Sequence, residues 1–295
     1  MRLIVSGQNG QIARALRESP ISDVEILTFG RPNLDLENFE NFDRLMQEAR
    51  PDIFVNAAAY TMVDQAEQEE DLAMKINGVA AGALAQAAAA IDIPFIQIST
   101  DYVFDGAKAT PYVETDAVAP INVYGRSKLA GELAVAAAMP QHAILRTSWV
   151  YDGEGKNFLT TMLRLAKTRE EVSIVCDQIG APSYAPDIAQ AILTVARNLV
   201  NDRSTTGCGV FHMTGAGETN WAEFARAIFS RSAAAGGHFA HVHPIATTDY
   251  PTAARRPANS RLNCDRLETI HGVKMQHWEN ALDRCMRDRT KRGEL

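Results

Sequence analysis

Short, unbroken apolar stretches alternate with helical stretches through the first half of the chain, and this alternation constrains the fold more than any other feature. The apolar stretches fall at Leu3–Val5, Glu25–Phe29, Ile53–Asn56, Phe95–Ile98 and Ala143–Arg146. A helical pattern covers Gln11–Glu18, Phe39–Ala49, Leu72–Ala90 and Val123–Ala138 between them. A strand that is apolar at successive positions has no face for water and needs a covering layer on both sides. Strands of this kind linked through helices pair in parallel, because each crossover returns the chain to the same end of the sheet. The expected fold class is α/β, a doubly wound parallel sheet of the Rossmann type with a smaller C-terminal α/β part.

After Tyr151 the alternation loosens. Helices are expected at Phe158–Lys167, Pro186–Leu199, Trp221–Ser232 and His277–Arg287, and strands at Val172–Cys176, Val210–Met213 and around His241–Ile245. Asp249–Arg261 has turn-rich composition. This suggests a cofactor-binding domain over 1–150, with contributions from later segments, and a smaller substrate-binding domain over 151–295 that closes a cleft. The 295 residues carry a net charge of −7, which argues against nucleic acid or an anionic membrane as the main partner. The alanine-rich run near Ala80–Ala90 is too short to span a bilayer. The chain enters its first strand without a signal-like segment, and its four cysteines form no CxxC pair. Both features point to the cytoplasm.

The first strand runs into Gly7-Gln8-Asn9-Gly10-Gln11-Ile12-Ala13. Glycines at a strand-to-helix junction permit a tight turn and close approach of the backbone to a pyrophosphate, and the helix N-terminus offers free N–H groups. Gly7, Asn9, Gly10, Gln11 and Ile12 are therefore candidates for dinucleotide binding. The second strand ends in Phe29-Gly30-Arg31, with no carboxylate to accept from ribose hydroxyls. Arg31 suits a 2′-phosphate, so NADPH is the expected cofactor, with NADH permitted. Asp35, with Leu36 beside it, caps the next helix or approaches the adenine. The small side chains of Ala57, Ala58 and Ala59 suit a backbone lying against the cofactor, or simply close packing of helix on sheet.

The fourth strand ends in Ser99-Thr100-Asp101, and the following long helix carries Tyr124-Gly-Arg-Ser-Lys128. Residues i and i+4 share a helix face, so the Tyr124 phenol and the Lys128 ammonium reach one cleft. A neighbouring ammonium is expected to draw the phenol's pKa down towards the working range. Thr100, at the carboxyl end of a parallel strand, is placed to bond the oxygen that Tyr124 protonates.

In this order GxxGxxA, Asn56-Ala-Ala-Ala59, Ser99-Thr-Asp101 and YxxxK resemble the extended short-chain dehydrogenase/reductases. Four longer segments resemble the dTDP-4-dehydrorhamnose reductase family in particular: Ser99–Gly106, Val123–Glu132, Arg146–Tyr151, and Tyr250–Leu262 with its Arg255-Arg256-Pro257 core. The resemblance implies that Tyr124 is the proton donor, that Lys128 tunes it and contacts ribose, and that Thr100 orients the keto oxygen. It implies a nucleotide-sugar substrate, with Asp101 and Trp149 against the sugar. Arg255 and Arg256 are placed to pair with the substrate diphosphate, with Asn259 nearby, though each fits a plain loop equally well. The first helix has no acid before Glu18, so a metal-bridged dimer is not expected; no metal site is, and the chain reads as a monomer or weak homodimer. His238, His241 and His243 read as an edge strand. Tyr102 stands where sugar-nucleotide 4,6-dehydratases carry a glutamate, which disfavours dehydration. An epimerase, and a non-catalytic NADP-binding regulatory subunit on the same fold, remain alternatives.

Overall fold

The computed structural model describes residues 1–294. Six strands form one parallel sheet: β1 (Arg2–Ser6), β2 (Glu25–Phe29), β3 (Ile53–Asn56), β4 (Phe95–Thr100), β5 (His142–Thr147) and, later in the chain, β10 (Gly209–His212). Their spatial order is β10-β5-β4-β3-β1-β2. The side-chain alternation of these strands feeds two separate cores. Leu3, Val5, Ile53, Val55, Ile96, Ile98, Ala143 and Leu145 pack on one face, against α1 (Gln11–Arg17) and later segments. Ile4, Phe54 and Phe95 pack on the other, against α2 (Phe42–Ala49), the short α3 (Val63–Ala66) and the long helical run that follows. That run is α4 (Glu70–Met74), a π-turn at Lys75–Val79 and α5 (Ala80–Ala90). The helix α6 (Val123–Ala138) lies beside α5. A fully apolar strand is buried twice over, as the sequence predicts.

A small layer stands beside this sheet. It contains the short strands β6 (Val150–Tyr151), β7 (Glu171–Val175), β8 (Ile179–Gly180) and β9 (Ser183–Tyr184) and the helix α7 (Phe158–Ala166). After α8 (Ala185–Asn201) and β10 come β11 (Thr219–Asn220), α9 (Trp221–Ala234), β12 (His241–Ile245), α10 (Asp265–His271) and α11 (Trp278–Lys291). Its core joins Tyr151, Leu159, Phe224, Phe229 and Leu282. The histidines of the 238–243 region include two on β12, which pairs in parallel with β7.

Three segments beyond residue 150 serve the large sheet. The helix α8 packs on α1 and fills the first core with Ile188, Ile192 and Val195, while β10 extends the sheet beyond β5. The boundary therefore follows packing and not sequence order, as the apolar stripe of α8 has to meet whichever face of the sheet is still bare. The helix α10 lies in a segment to which the sequence pattern assigns no element, and Leu267 anchors it to the same core.

The approach of α6 to the π-turn brings the chemistry-bearing helix close to the chain after β3. Gly131 of α6 faces the Asn77 carbonyl so closely that a Cβ there would overlap the oxygen. Asn77, 2% exposed, donates to Tyr60 O at 3.0 Å and to Ser127 Oγ at 2.9 Å, and accepts from Tyr60 N at 2.8 Å. Gly131→Ala should force the helices apart and destabilise the protein by about 1–3 kcal/mol, the usual range for overpacking. Urea unfolding at unchanged m-value checks this, and an unshifted midpoint would refute the close approach.

Candidate active site

The carboxyl ends of β1, β3, β4 and β5 converge on one side of the sheet, where ligands of parallel sheets bind. Gly7 closes β1 with φ +100, a conformation that favours glycine, and its N–H donates to Phe29 O at 2.6 Å. The next helix starts at Gln11 with Gly10 as N-cap and no side chain capping it. Asn9 and Gly10 are exposed, and Gln11 and Ile12 half-buried. The Gln11 amide nitrogen donates to Val150 O at 3.3 Å, and its buried Oε1 has no partner. Beside this turn lies a pocket of ≈ 180 Å³ lined by Gly7, Gly30, Arg31, Leu34, Leu36, Ala58, Ala59 and Ile76. An uncapped helix start, an orphaned amide oxygen and this small apolar pocket fit the pyrophosphate and adenosine of a dinucleotide.

Arg31 lines that pocket from outside, its side chain 65% exposed, and pairs with Asp35 at 3.2 Å and Glu37 at 2.8 Å. Asp35 accepts from Glu37 N at 3.0 Å, so it braces a turn and the arginine and does not line the pocket. Ala57, at the end of β3, packs on the core of the α1 face, whereas Ala58 and Ala59 face the pocket.

Thr100, Asp101, Tyr102 and Tyr124 form one cluster. Thr100 is 5% exposed; its hydroxyl donates to Asp101 Oδ1 at 3.0 Å, accepts from Tyr102 N at 3.2 Å and lies on the side of the Tyr124 phenol, whose pKa it lowers. Tyr102 meets Tyr124 edge to face, with ring centroids 5.7 Å apart. Lys128 lies one turn beyond Tyr124 and is 4% exposed, but its Nζ donates to Ile98 O at 2.7 Å. Burial brings this ammonium down to about 8, against the opposing pull of Glu132.

The phenol departs from expectation. Burial, and then the charge of Asp101, push Tyr124 above its ordinary value, while only the Thr100 hydroxyl lowers it. Lys128 is engaged with a carbonyl, and desolvation of the ring dominates over an ammonium on the next turn. The phenol is thus fully protonated at neutral pH. Burial likewise raises Asp101 to about 7, against hydrogen bonds from Ser260 and Thr100, and its Oδ2 is buried without a partner.

The substrate-side candidates divide. Trp149 adopts φ 48, a left-handed conformation rare outside glycine, and stacks on Trp221 with centroids 3.6 Å apart. Gly180 passes beneath the ring; a Cβ there would come within 2.6 Å of Trp149. Arg255 is exposed. Arg256 is not free: it is bidentate on Asp64 at 2.6 Å to each oxygen and also donates to Ala254 O. Nor is Asn259 free, since its Nδ2 bonds Lys108 O and Thr110 O and its Oδ1 takes Arg261 N and Nε. Both side chains fasten the loop to the first half of the chain. Sequence reasoning missed Asp64 and Trp221 altogether. Asn122 carried a readable signal, an N-cap residue immediately before the helix of Tyr124.

A family model described as the RmlD substrate binding domain matches residues 1–291. A curated dTDP-4-dehydrorhamnose reductase from Sinorhizobium fredii is 51% identical over 97% of both chains. The chain belongs to the dTDP-4-dehydrorhamnose reductase family. A second member, from Burkholderia thailandensis, is 44% identical over 98% of this chain and 99% of its own. The dTDP-4-dehydrorhamnose reductase of Bacillus anthracis, solved in complex with NADP, superposes with a TM-score of 0.90 at 38% identity, over 97% of this chain and 99% of that one.

The raised pKa of Asp101 has a thermodynamic consequence. The folded protein keeps its proton to about pH 7, whereas the unfolded chain releases it near about pH 4. This group's contribution to stability therefore falls as pH rises across that window and stays low above it. Asp101→Asn should stabilise the protein relative to wild type, by about 3 kcal/mol more at pH 8 than at pH 5. Urea unfolding of both proteins at the two pH values measures this; a difference independent of pH would mean that Asp101 is ionised throughout.

Proposed function

We propose that the protein reduces the 4-keto group of dTDP-4-dehydro-6-deoxy-L-mannose (dTDP-4-dehydrorhamnose) with NADPH, giving dTDP-L-rhamnose. The observation that carries this reading is the protonated Tyr124 phenol against the Thr100 hydroxyl, with Lys128 one turn on, in a chain half identical to a reductase of that name. When bound, NADPH supplies the hydride for C4. The chain's own residues do the rest. The turn Gly7–Ile12 receives the pyrophosphate, Arg31 the 2′-phosphate, and Ala58 and Ala59 the adenosine side of the cofactor.

Thr100 holds the keto oxygen, and Tyr124 donates its proton to that oxygen. A carbonyl reduction needs a donor that is loaded at the start, which the half-buried phenol is. The phenolate left behind sits one helical turn from the Lys128 ammonium, which stabilises it and reaches the ribose. Asp101 and Trp149 contact the sugar, and Arg255 pairs with the diphosphate. This role falls to Arg255 because Arg256 is engaged by Asp64. The reading also covers a cytoplasmic enzyme that acts as a monomer or weak homodimer. In the first helix Arg14 pairs with Asp152, and that helix carries no acid before Glu18. Among the described residues no helix is long and apolar enough to cross a membrane.

Tyr124→Phe should lower kcat by about 10²–10⁴, the usual contribution of a general acid. The assay is NADPH consumption with enzymatically generated dTDP-4-dehydro-6-deoxy-L-mannose, and full activity in the variant would overturn the assignment. Arg31→Ala should raise KM for NADPH about tenfold and leave KM for NADH nearly unchanged, as expected for loss of one charge-assisted contact. Equal discrimination by the two proteins would remove Arg31 from the 2′-phosphate site.

A further inference from the structure

The Ala254–Arg256 turn is fastened to the first half of the chain at two points. At one, Asp64 accepts from Ala254 N at 3.0 Å and grips Arg256. At the other, Asn122 Nδ2 donates to the Arg255 carbonyl at 2.8 Å. Asn122 is 1% exposed, and its Oδ1 accepts from Gly125 N at 2.8 Å, capping α6. One amide therefore faces two ways. Its oxygen holds the start of the helix that carries Tyr124 and Lys128, and its nitrogen holds the backbone of the exposed Arg255.

We propose that Asn122 is a positioning residue that fixes the guanidinium of Arg255 relative to the phenol of Tyr124, so that a substrate's diphosphate and its keto carbon are held in register. The inference rests on the reductase reading above, in which the substrate is a nucleoside diphosphate sugar. A helix cap needs only an acceptor, which Ser or Asp supplies as well as Asn. The amide nitrogen is surplus to capping, yet it is the atom that meets Arg255. A side-chain amide offers its oxygen to one backbone N–H and, from a separate atom, an N–H to a distant carbonyl.

The turn is rigid on both sides of Arg255. Asp64 anchors Ala254 before it, and Pro257 after it packs so closely on Gly106 that a Cβ there would come within 2.5 Å. A guanidinium on such a turn loses less backbone freedom when a diphosphate arrives, so the tether acts through affinity for the nucleotide.

Asn122→Ser and Asn122→Asp keep the capping acceptor and remove the amide donor. Four quantities decide the case: KM for the nucleotide sugar, Kd for dTDP by calorimetry, KM for NADPH and Tm. Loss of the tether should raise the first two about tenfold, equivalent to one hydrogen bond, with kcat falling by less and the last two unchanged. Asn122→Ser combined with Arg255→Ala should bind dTDP no more weakly than Arg255→Ala alone, because the tether works through that guanidinium. Additive losses in the double variant, unaltered dTDP binding, or parallel changes in NADPH affinity and Tm would each overturn the proposal. A wild-type protein that binds dTDP yet leaves the keto sugar untouched would count against the reductase reading alone, and the dTDP binding of the variants would still decide the tether.

Discussion

The site depends on how α6 is clamped to the sheet. Glu132 and Arg146, each 4% exposed at the side chain, form a bidentate pair with contacts of 2.9 and 2.6 Å, and Ser99 Oγ adds a third bond to Glu132 at 2.5 Å. One turn earlier on the helix, Lys128 reaches Ile98 O. Two consecutive residues of β4 thus hold two consecutive turns of α6, and β5 holds the second of them through Arg146. Burying these charges carries a desolvation penalty that their mutual attraction offsets only when the geometry is good. What the arrangement supplies is register: the rotation and height of α6 are set, and with them the place of Tyr124 against Thr100.

The same burial sets the electrostatics. A phenol, a carboxyl and an ammonium share a region with little water, and each is pushed towards its neutral form: Tyr124 and Asp101 up, Lys128 down to about 8. For a reduction this is the useful direction on the acid side, because the donor has to hold its proton until an alkoxide forms. The lysine then matters for the moment after transfer more than for the resting state.

Features that live within one turn or one strand were readable from the chain. The alternation of elements, the glycine turn at Gly7–Gly10 and the four-residue spacing of Tyr124 and Lys128 are local geometry, and the fold keeps them. Features that depend on distant partners were not. Arg256 and Asn259 also bond Asp64, Lys108 and Thr110, roughly 150 to 190 residues away, which no local pattern shows. The direction of the Tyr124 shift was misread for a related reason: a helix spacing shows the ammonium, but desolvation belongs to the whole surrounding protein. The helix α10 escaped because its short apolar pattern is anchored mainly by Leu267.

Trp149 and Trp221 are two of the three tryptophans in the chain, and they lie almost in contact just past the carboxyl end of β5. Indoles this close share their excited states, so the ultraviolet signature of the protein is concentrated at one wall beside the cleft. Any ligand that tilts or parts the two rings writes its arrival into that signature, which gives the molecule a built-in optical reporter with no added label.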